Sequence, residues 1–544
     1  MRARDAACRC VELALRHQGR LRPSTAAAGF RVLPLRCAAM VSRVTAPDDR
    51  SDLRLLALAS IPGAWLCLLM PVFAQESYYW TYAQHPDLSY YDHPPMVAWM
   101  IWLGTRVFGD GALGIRFLTM LCGIATMALG MRMLRAWGAN ATARAAWALA
   151  SSCAPALLAT HFLANPDPPL CLFFLATMAA LWKARNGGIR WWLLAGAFAG
   201  LALLSKYTAA FLAVSGAVLL LLDPSMRKQL RRPGPWLGVV TAAIVFAPVV
   251  IWNVNNDFES FRFQTESRFA RANFRIDWLF QFLGQQIGVA HPALAAAIPF
   301  ALLWLMRRAR ERDVRALWLL AFALPMPVFF LCNAPLMQVK PNWIAPSYLP
   351  LLLGASLWFS ESGIKDRKPK LAKAAKVALL AVVPIVALAP LMVAWPQHRG
   401  SSWTGWSEIA TATDAWEHRI DDEDKIDGNV FVFAADYKDA AQLTRALRQL
   451  ATARHDSTPS PQALAQNVFG QPALQFDHWD APAAHVGQSA IFVLPRANER
   501  EAMVERMRAR FDSAEKVDHV DVTRLGVKVL DADIYVCRGY KGAK

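Results

Sequence analysis

Residues 75–99 read QESYYWTYAQHPDLSYYDHPPMVAW. The stretch follows the first long apolar run of the chain. It sets Glu76, Asp87 and Asp92 among five tyrosines, two tryptophans and two histidines, and closes on His93-Pro94-Pro95. Tryptophan and tyrosine collect at membrane surfaces in any case. The stretch alone therefore has two readings: an interfacial connector, or an acidic and aromatic site held against a membrane span.

Outward from it, apolar runs of about 17–25 residues, the length of a membrane-crossing helix, recur as far as Trp395. Apolar residues make up 55% of the chain and charged residues 18%, against a usual charged share of about 25%. The chain is thus expected to be an α-helical polytopic membrane protein. Its net charge of +17 is not evenly spread: after Ser401 the acids outnumber the bases. Most basic residues of the first 400 positions fall in short segments between apolar runs. That is the pattern of the positive-inside rule, and it argues against nucleic acid as a partner. Of the nine cysteines, Cys67, Cys122, Cys153, Cys171 and Cys332 sit in apolar runs, and no CxxC pair occurs. Neither a disulfide framework nor a cysteine zinc site is supported.

Flanking charge orients the runs. Arg50 and Arg54 precede a span at about 53–73, placing the N-terminus in the cytoplasm and residues 75–99 on the outer side. Residues 95–108 are apolar but short, and read as an outer interfacial helix. Spans near 113–134, 142–163, 168–184, 191–206, 208–222, 236–254, 278–306, 316–333, 343–359 and 377–396 then alternate. This gives about eleven crossings, and about 11–13 transmembrane helices once short segments are counted. Residues 1–50 read as a basic cytoplasmic tail, with Met40 as an alternative start and no clear signal peptide. Residues 51–400 form the membrane domain. Residues 401–544 form a small outer α/β domain, with strands at Val430–Ala434 and Ile491–Leu494 and helices at Ala440–Leu450 and Asn498–Phe511.

This topology sorts the polar residues. Cytoplasmic segments carry plain Arg/Lys runs. The outer face collects Glu76, Asp92, His93, Asp167, Lys206, Arg262, Arg268, Arg271, Arg275, Lys340, Asn342 and Trp343. An outer-face carboxylate can take a proton from an attacking hydroxyl or hold a metal. Basic groups beside it can hold a phosphate that leaves as an anion. The aromatic residues suit a sugar or the lipid–water boundary. Each residue also has a plainer reading: Asp92 and Asp167 as turn or cap residues beside prolines, Lys206 as a snorkelling lysine, and His291 as a hydrogen-bonded helix histidine. A transporter or flippase is the main alternative. It would show charges near span midplanes and internal repeats, and no repeat is evident.

The pattern E-x-Y-Y-W followed by Y-Y-D-H-P-P-M-V-A-W resembles glycosyltransferase family 39, within the GT-C class of membrane glycosyltransferases. That family includes protein O-mannosyltransferases and lipid A aminoarabinose transferases. The pieces ANPDPPL at 164–170, GLALLSKY at 200–207 and VKPNWIAPSY at 339–348 resemble later family motifs, in the expected order. The resemblance implies a polyprenyl-phosphate sugar donor, a periplasmic acceptor (lipid A or its core, another envelope glycan or protein), and inversion at the sugar carbon. The setting it implies is the bacterial inner membrane. Its implied catalytic residues are Glu76, Asp92 and Asp167. Its implied substrate-binding residues are Tyr79, His93, Lys206, Lys340, Asn342 and Trp343. Asp92 is also a candidate ligand for a divalent metal, the one cofactor considered. Many members carry Asp-Glu where this chain has Gln75-Glu76. Glutamine cannot act as a base, so either Glu76 takes the role or Asp92 and Asp167 share it, and a non-catalytic relative is a further reading.

Overall fold

The computed structural model describes residues 47–267, 273–394, 403–424, 430–455, 462–496 and 500–543. Met40, Arg268 and Arg271 lie outside the described residues.

The described residues up to 394 form a helical bundle. Its main helices are α1 (Pro47–Leu69), α2 (Ala74–Gln84), α3 (Met96–Phe108), α4 (Ala112–Ala136), α5 (Ala141–Cys153), α6 (Asp167–Ala184), α7 (Ile189–Ser205), α8 (Phe211–Leu222), α9 (Pro233–Asn255), α10 (Ile276–Ala290), α11 (Pro292–Arg310), α12 (Val314–Ala323), α13 (Pro325–Asn333), α14 (Ala345–Glu361) and α15 (Pro369–Leu380). Six described helices are long and apolar enough to cross a membrane: Asp49–Leu69, Ala112–Ala136, Pro233–Asn255, Pro292–Arg310, Val314–Asn333 and Pro369–Leu391. Met96–Phe108, Ile189–Ser205 and Tyr207–Leu222 are apolar but shorter. The run at 278–306 divides at His291, whose φ of 77° ends α10. His291 Nδ1 then accepts the Ala293 N–H at 3.2 Å and caps α11.

Prolines start α6, α9 and α11 within their first two positions, where the missing N–H costs nothing. Helices α7 and α9 approach closely through glycine. A Cβ on Gly196 would stand 2.0 Å from the Gly238 carbonyl oxygen, and one on Gly234 would stand 2.4 Å from the Trp192 ring. Gly196 with Gly200, and Gly234 with Gly238, are i,i+4 pairs of the kind that lets helix backbones touch in lipid.

The C-terminal domain consists of α16 (Trp406–Asp424), β1 (Val430–Ala434), α17 (Tyr437–Ala453), β2 (Ser489–Pro495), a short helix at Glu501–Arg508, β3 (Phe511–Arg524) and β4 (Val527–Tyr540). The sheet order is β1-β2-β4-β3. β1 and β2 are parallel, and β4 is antiparallel to both β2 and β3. The expected strand at 430–434 is present as such. The helix expected at 498–511 is shorter, because Phe511 already begins β3. The β3–β4 hairpin was not expected at all.

This domain is docked onto the bundle. One apolar cluster holds Tyr78, Trp80, Tyr82 and Val97 from the N-terminal part together with Ile409, Val432, Leu443, Phe476 and Ile534 from the C-terminal domain. Ser77 Oγ donates to Gln442 Oε1 at 2.7 Å, and Arg445 Nε donates to Ser77 Oγ at 3.0 Å. Burial against this seam pushes the Arg445 guanidinium down to about 10, opposed by the Glu76 charge.

Candidate active site

Helix α2 is buried almost throughout. One face meets the C-terminal domain, and the other carries polar side chains into the head of the bundle.

Glu76 is buried, and all its acceptor positions are filled. Its Oε1 accepts from Arg116 Nε and from the Ala164 N–H, each at 2.8 Å. Its Oε2 accepts from Arg116 Nη2 at 2.5 Å and from the Phe73 N–H at 2.9 Å. A carboxylate offers about four lone-pair sites, so none is left for a reacting proton. Arg116 also donates to the carbonyls of Met70 and Pro71, each at 2.7 Å, and of Cys67 at 3.2 Å. The pair ties the end of α1, the start of α2, helix α4 and the segment leading to Asp167. Glu76, expected as a catalytic base, is here buried and fully hydrogen-bonded, with Arg116 as its ion-pair partner. Arg116 was not singled out by sequence because it lies within an apolar span.

Asp92 is buried in a different setting. Its Oδ1 accepts from Tyr78 Oη at 3.0 Å and from Tyr82 Oη. Its Oδ2 lies 3.9 Å from His93 Nε2, and its backbone carbonyl accepts from Gln264 Nε2 at 2.9 Å. Burial first, and the Asp92 charge second, hold the Tyr78 and Tyr82 hydroxyls well above their ordinary range. Both phenols therefore stay protonated and donate. Donors to a carboxylate favour its ionised form. The His93 ring stands edge-on to Tyr79, 5.5 Å between centroids.

The third group forms at the helix ends. Asp167 is the first residue of α6, where the positive end of the helix dipole favours its charge. Lys206 Nζ, just past the end of α7, donates to Asp167 Oδ1 at 2.6 Å. Asn342 Nδ2 donates to Asp167 Oδ2 at 2.7 Å. Two residues proposed from separate motifs thus converge on the carboxylate of a third. Tyr79 joins this group to the previous one: its hydroxyl feels the charges of both Asp92 and Asp167 and bonds the Gln75 side chain, while burial is the main cause of its raised pKa.

The remaining expectations are placed less centrally. Lys340 is exposed just before the one-turn helix Pro341–Ile344. Trp343 packs its ring on Phe330 at 5.4 Å. Arg262 is exposed, and Arg275 pairs with Asp277 at 2.8 Å on the surface.

A divalent metal at Asp92 does not fit these neighbours. One carboxylate oxygen accepts from two phenols, and among the described residues Asp92 belongs to no group of three metal-type ligand atoms, whereas a catalytic zinc takes about three protein ligands. Among the described residues, three metal-type ligand atoms come together only at His519, Asp521 and Asp531 on the β3–β4 hairpin. There Lys528 already pairs with both aspartates. No cofactor is indicated.

Opposite the site, the far ends of the helices carry plain ion pairs: Arg185 with Asp223 at 2.6 Å, and Arg315 with Asp313 at 2.9 Å and Glu361 at 3.0 Å.

Known proteins share this frame. Residues 92–252 match a family model described as dolichyl-phosphate-mannose-protein mannosyltransferase. The chain is 28% identical over 284 residues to the lipid A galacturonosyltransferase RgtD of Rhizobium johnstonii, covering 51% of this chain and 58% of that one. It is 30% identical over 304 residues to an undecaprenyl phosphate-alpha-4-amino-4-deoxy-L-arabinose arabinosyl transferase of Pseudomonas fluorescens, covering 50% and 49%. The chain thus spans about half the length of the curated relatives it matches. Two crystal structures of ArnT from Cupriavidus metallidurans share its fold. The apo form covers 90% of this chain and 98% of its own at a TM-score of 0.58 and 15% identity. The form bound to undecaprenyl phosphate covers 88% and 97% at 0.55 and 18%. The GT-C fold expected from the motifs is the fold found.

Proposed function

We propose that this chain, a multi-pass membrane protein with the ArnT fold, is an inverting glycosyltransferase. It would move a sugar from a polyprenyl-phosphate donor to an acceptor on the outer face of a bacterial inner membrane. The observation that carries this reading is the convergence of Asp167, Lys206 and Asn342 beside Asp92, His93 and Tyr79 at one end of the bundle. The names of its relatives support undecaprenyl phosphate as the donor lipid and lipid A or its core as the acceptor; another envelope glycan or a protein fits the same chemistry. In this reading the N-terminus is cytoplasmic and the C-terminal domain periplasmic, opposite the basic helix ends.

The steps follow from the two polar groups. Lys206 has three donors and spends one on Asp167. The others serve the donor phosphate, with Lys340 and Trp343 at the lipid end. Asp167 holds the lysine and Asn342 holds Asp167, rather than reacting. The acceptor hydroxyl attacks the anomeric carbon on the face opposite the phosphate. Its C–O bond forms as the C–O bond to phosphate breaks, polyprenyl phosphate leaves as an anion, and the hydroxyl proton passes to Asp92 Oδ2. Tyr78 and Tyr82 aim Asp92, and Tyr79 and His93 line the space between donor and acceptor. This assigns to Asp92 the work that Glu76 was expected to share.

The test is turnover by purified protein in detergent, with undecaprenyl-phosphate sugars as donors and lipid A as acceptor. Asp92→Asn is expected to lower kcat by about 10²–10⁴-fold, the usual worth of a general base, with the protein still folded. A wild-type chain that neither binds nor cleaves any such donor overturns the reading, and so does full turnover by Asp92→Asn.

A further inference from the structure

We propose that Gln475, in the C-terminal domain, is a positioning residue for the Asp92 carboxylate, acting through Tyr78 and Tyr91. The inference rests on the reading of Asp92 as the base. Gln475 is buried, in a one-turn helix at Leu474–His478. Its Oε1 accepts the Tyr91 N–H at 2.6 Å, the amide just before Asp92 in the chain. Its own backbone N–H donates to Tyr78 Oη at 3.3 Å.

The second contact has a directional consequence. The Tyr78 oxygen receives the Gln475 N–H and lies 3.0 Å from Tyr82 Oη. Its one proton is therefore left to point at Asp92 Oδ1. One residue of a distant domain thus sets both the backbone before Asp92 and the hydroxyl that orients its side chain.

The turn is built to hold this aim. Asp477 Oδ2 accepts the Ala473 N–H at 2.8 Å. Phe476 stacks on Tyr78 at 6.1 Å between centroids. Leu474 is held at a φ of 57°, a left-handed conformation that costs a non-glycine residue energy and persists only where its surroundings impose it. A glutamine suits the position because it accepts at Tyr91 without adding a second negative charge beside Asp92.

The test uses the full chain in detergent, with Gln475→Leu and Gln475→Glu. For Gln475→Leu, kcat is expected to fall by about 10–100-fold, the scale of a small misplacement, with donor KM within about twofold of wild type. The acidic limb of its kcat–pH profile moves to higher pH, as a carboxylate that loses an aimed donor becomes easier to protonate. Hydrogen exchange of residues 86–93 rises while Tyr437–Ala453 stays protected. Gln475→Glu, which keeps an acceptor for the Tyr91 N–H, restores slow exchange in 86–93. Gln475→Leu with wild-type exchange in 86–93 overturns the proposal, as does loss of protection throughout the domain, or an unchanged kcat and pH limb. A wild-type chain without turnover counts against the function reading alone, because exchange still decides the role of Gln475.

Discussion

Arg116 lies in the apolar run GALGIRFLTM, where a sequence reading passes over it as one cation inside a span. Its partner Glu76 lies 40 positions away, and only folding reveals that the two neutralise each other. Removing one member of such a pair leaves a buried charge and costs about 3–5 kcal/mol. Arg116→Met is therefore expected to lower the unfolding midpoint markedly and to reduce the yield of folded protein. Arg116→Lys is not expected to restore it, since an ammonium has three donors for the five acceptors that the guanidinium now serves; thermal unfolding in detergent checks both. Lys206 is a separate case. It keeps its counter-charge on Asp167, and its loss removes charged hydrogen bonds worth about 1.5–3 kcal/mol each. Lys206→Met is expected to raise the KM for a polyprenyl-phosphate donor by about 10–100-fold, measured in the turnover assay. Asp92, Asp167, Lys206 and Asn342 were legible in sequence because each marks the end of an apolar run. How each carboxylate is hydrogen-bonded was not legible, because that depends on residues remote in the chain.

At the scale of elements, the clearest signals were the shortest. VFVFA at 430–434 is a fully buried strand and reads as one. The 14-residue strand β3 is polar, with only Phe511 and Val522 buried, so it offers no apolar run. Its turn also lacks the usual signature. Leu525 and Gly526 both have positive φ, 51° and 77°, as a two-residue type I′ hairpin requires. Asparagine or glycine would be usual at the first position, and leucine there hides the turn. It also pays a conformational cost, of roughly 1–2 kcal/mol for a non-glycine residue in this region. Leu525 is exposed, so nothing is lost by removing its side chain. Leu525→Asn is expected to stabilise the hairpin by about 0.5–1 kcal/mol, seen as a higher midpoint of the C-terminal domain and slower exchange along β3. The span expected within 278–306 is found at Pro292–Arg310, preceded by a separate short helix at Ile276–Ala290: the left-handed His291 divides them before Pro292, and an apolar count does not register backbone sign.

At the scale of the whole molecule, stability should depend on pH through the C-terminal domain. Burial, helped by Asp421 and Asp414, pushes the Glu417 carboxyl up to about 7. Burial, helped by Asp436 and opposed by Arg500 and Arg496, pushes Asp439 up to about 6. In the unfolded chain both titrate near 4. Between those limits the folded state binds more protons, so stability falls as pH rises through about 4 to 7. Asp533 and Glu408, held low by their basic partners despite burial, act in the opposite sense only below about pH 4. Glu417→Gln is expected to raise the midpoint at pH 8 by an amount equivalent to about 1 kcal/mol. At pH 4.5 it should make little difference, which unfolding curves at the two pH values compare.

The seam between α2 and the C-terminal domain also orders how the molecule is made. Ser77 and Gln442 are bonded across 365 positions. During synthesis the tyrosine-rich helix is produced well before the surface that covers it. Until then its aromatic face has no permanent partner. The segment that carries the candidate base is covered by residues such as Gln475, made several hundred positions later, so a half-made molecule has its early helices but not this cover.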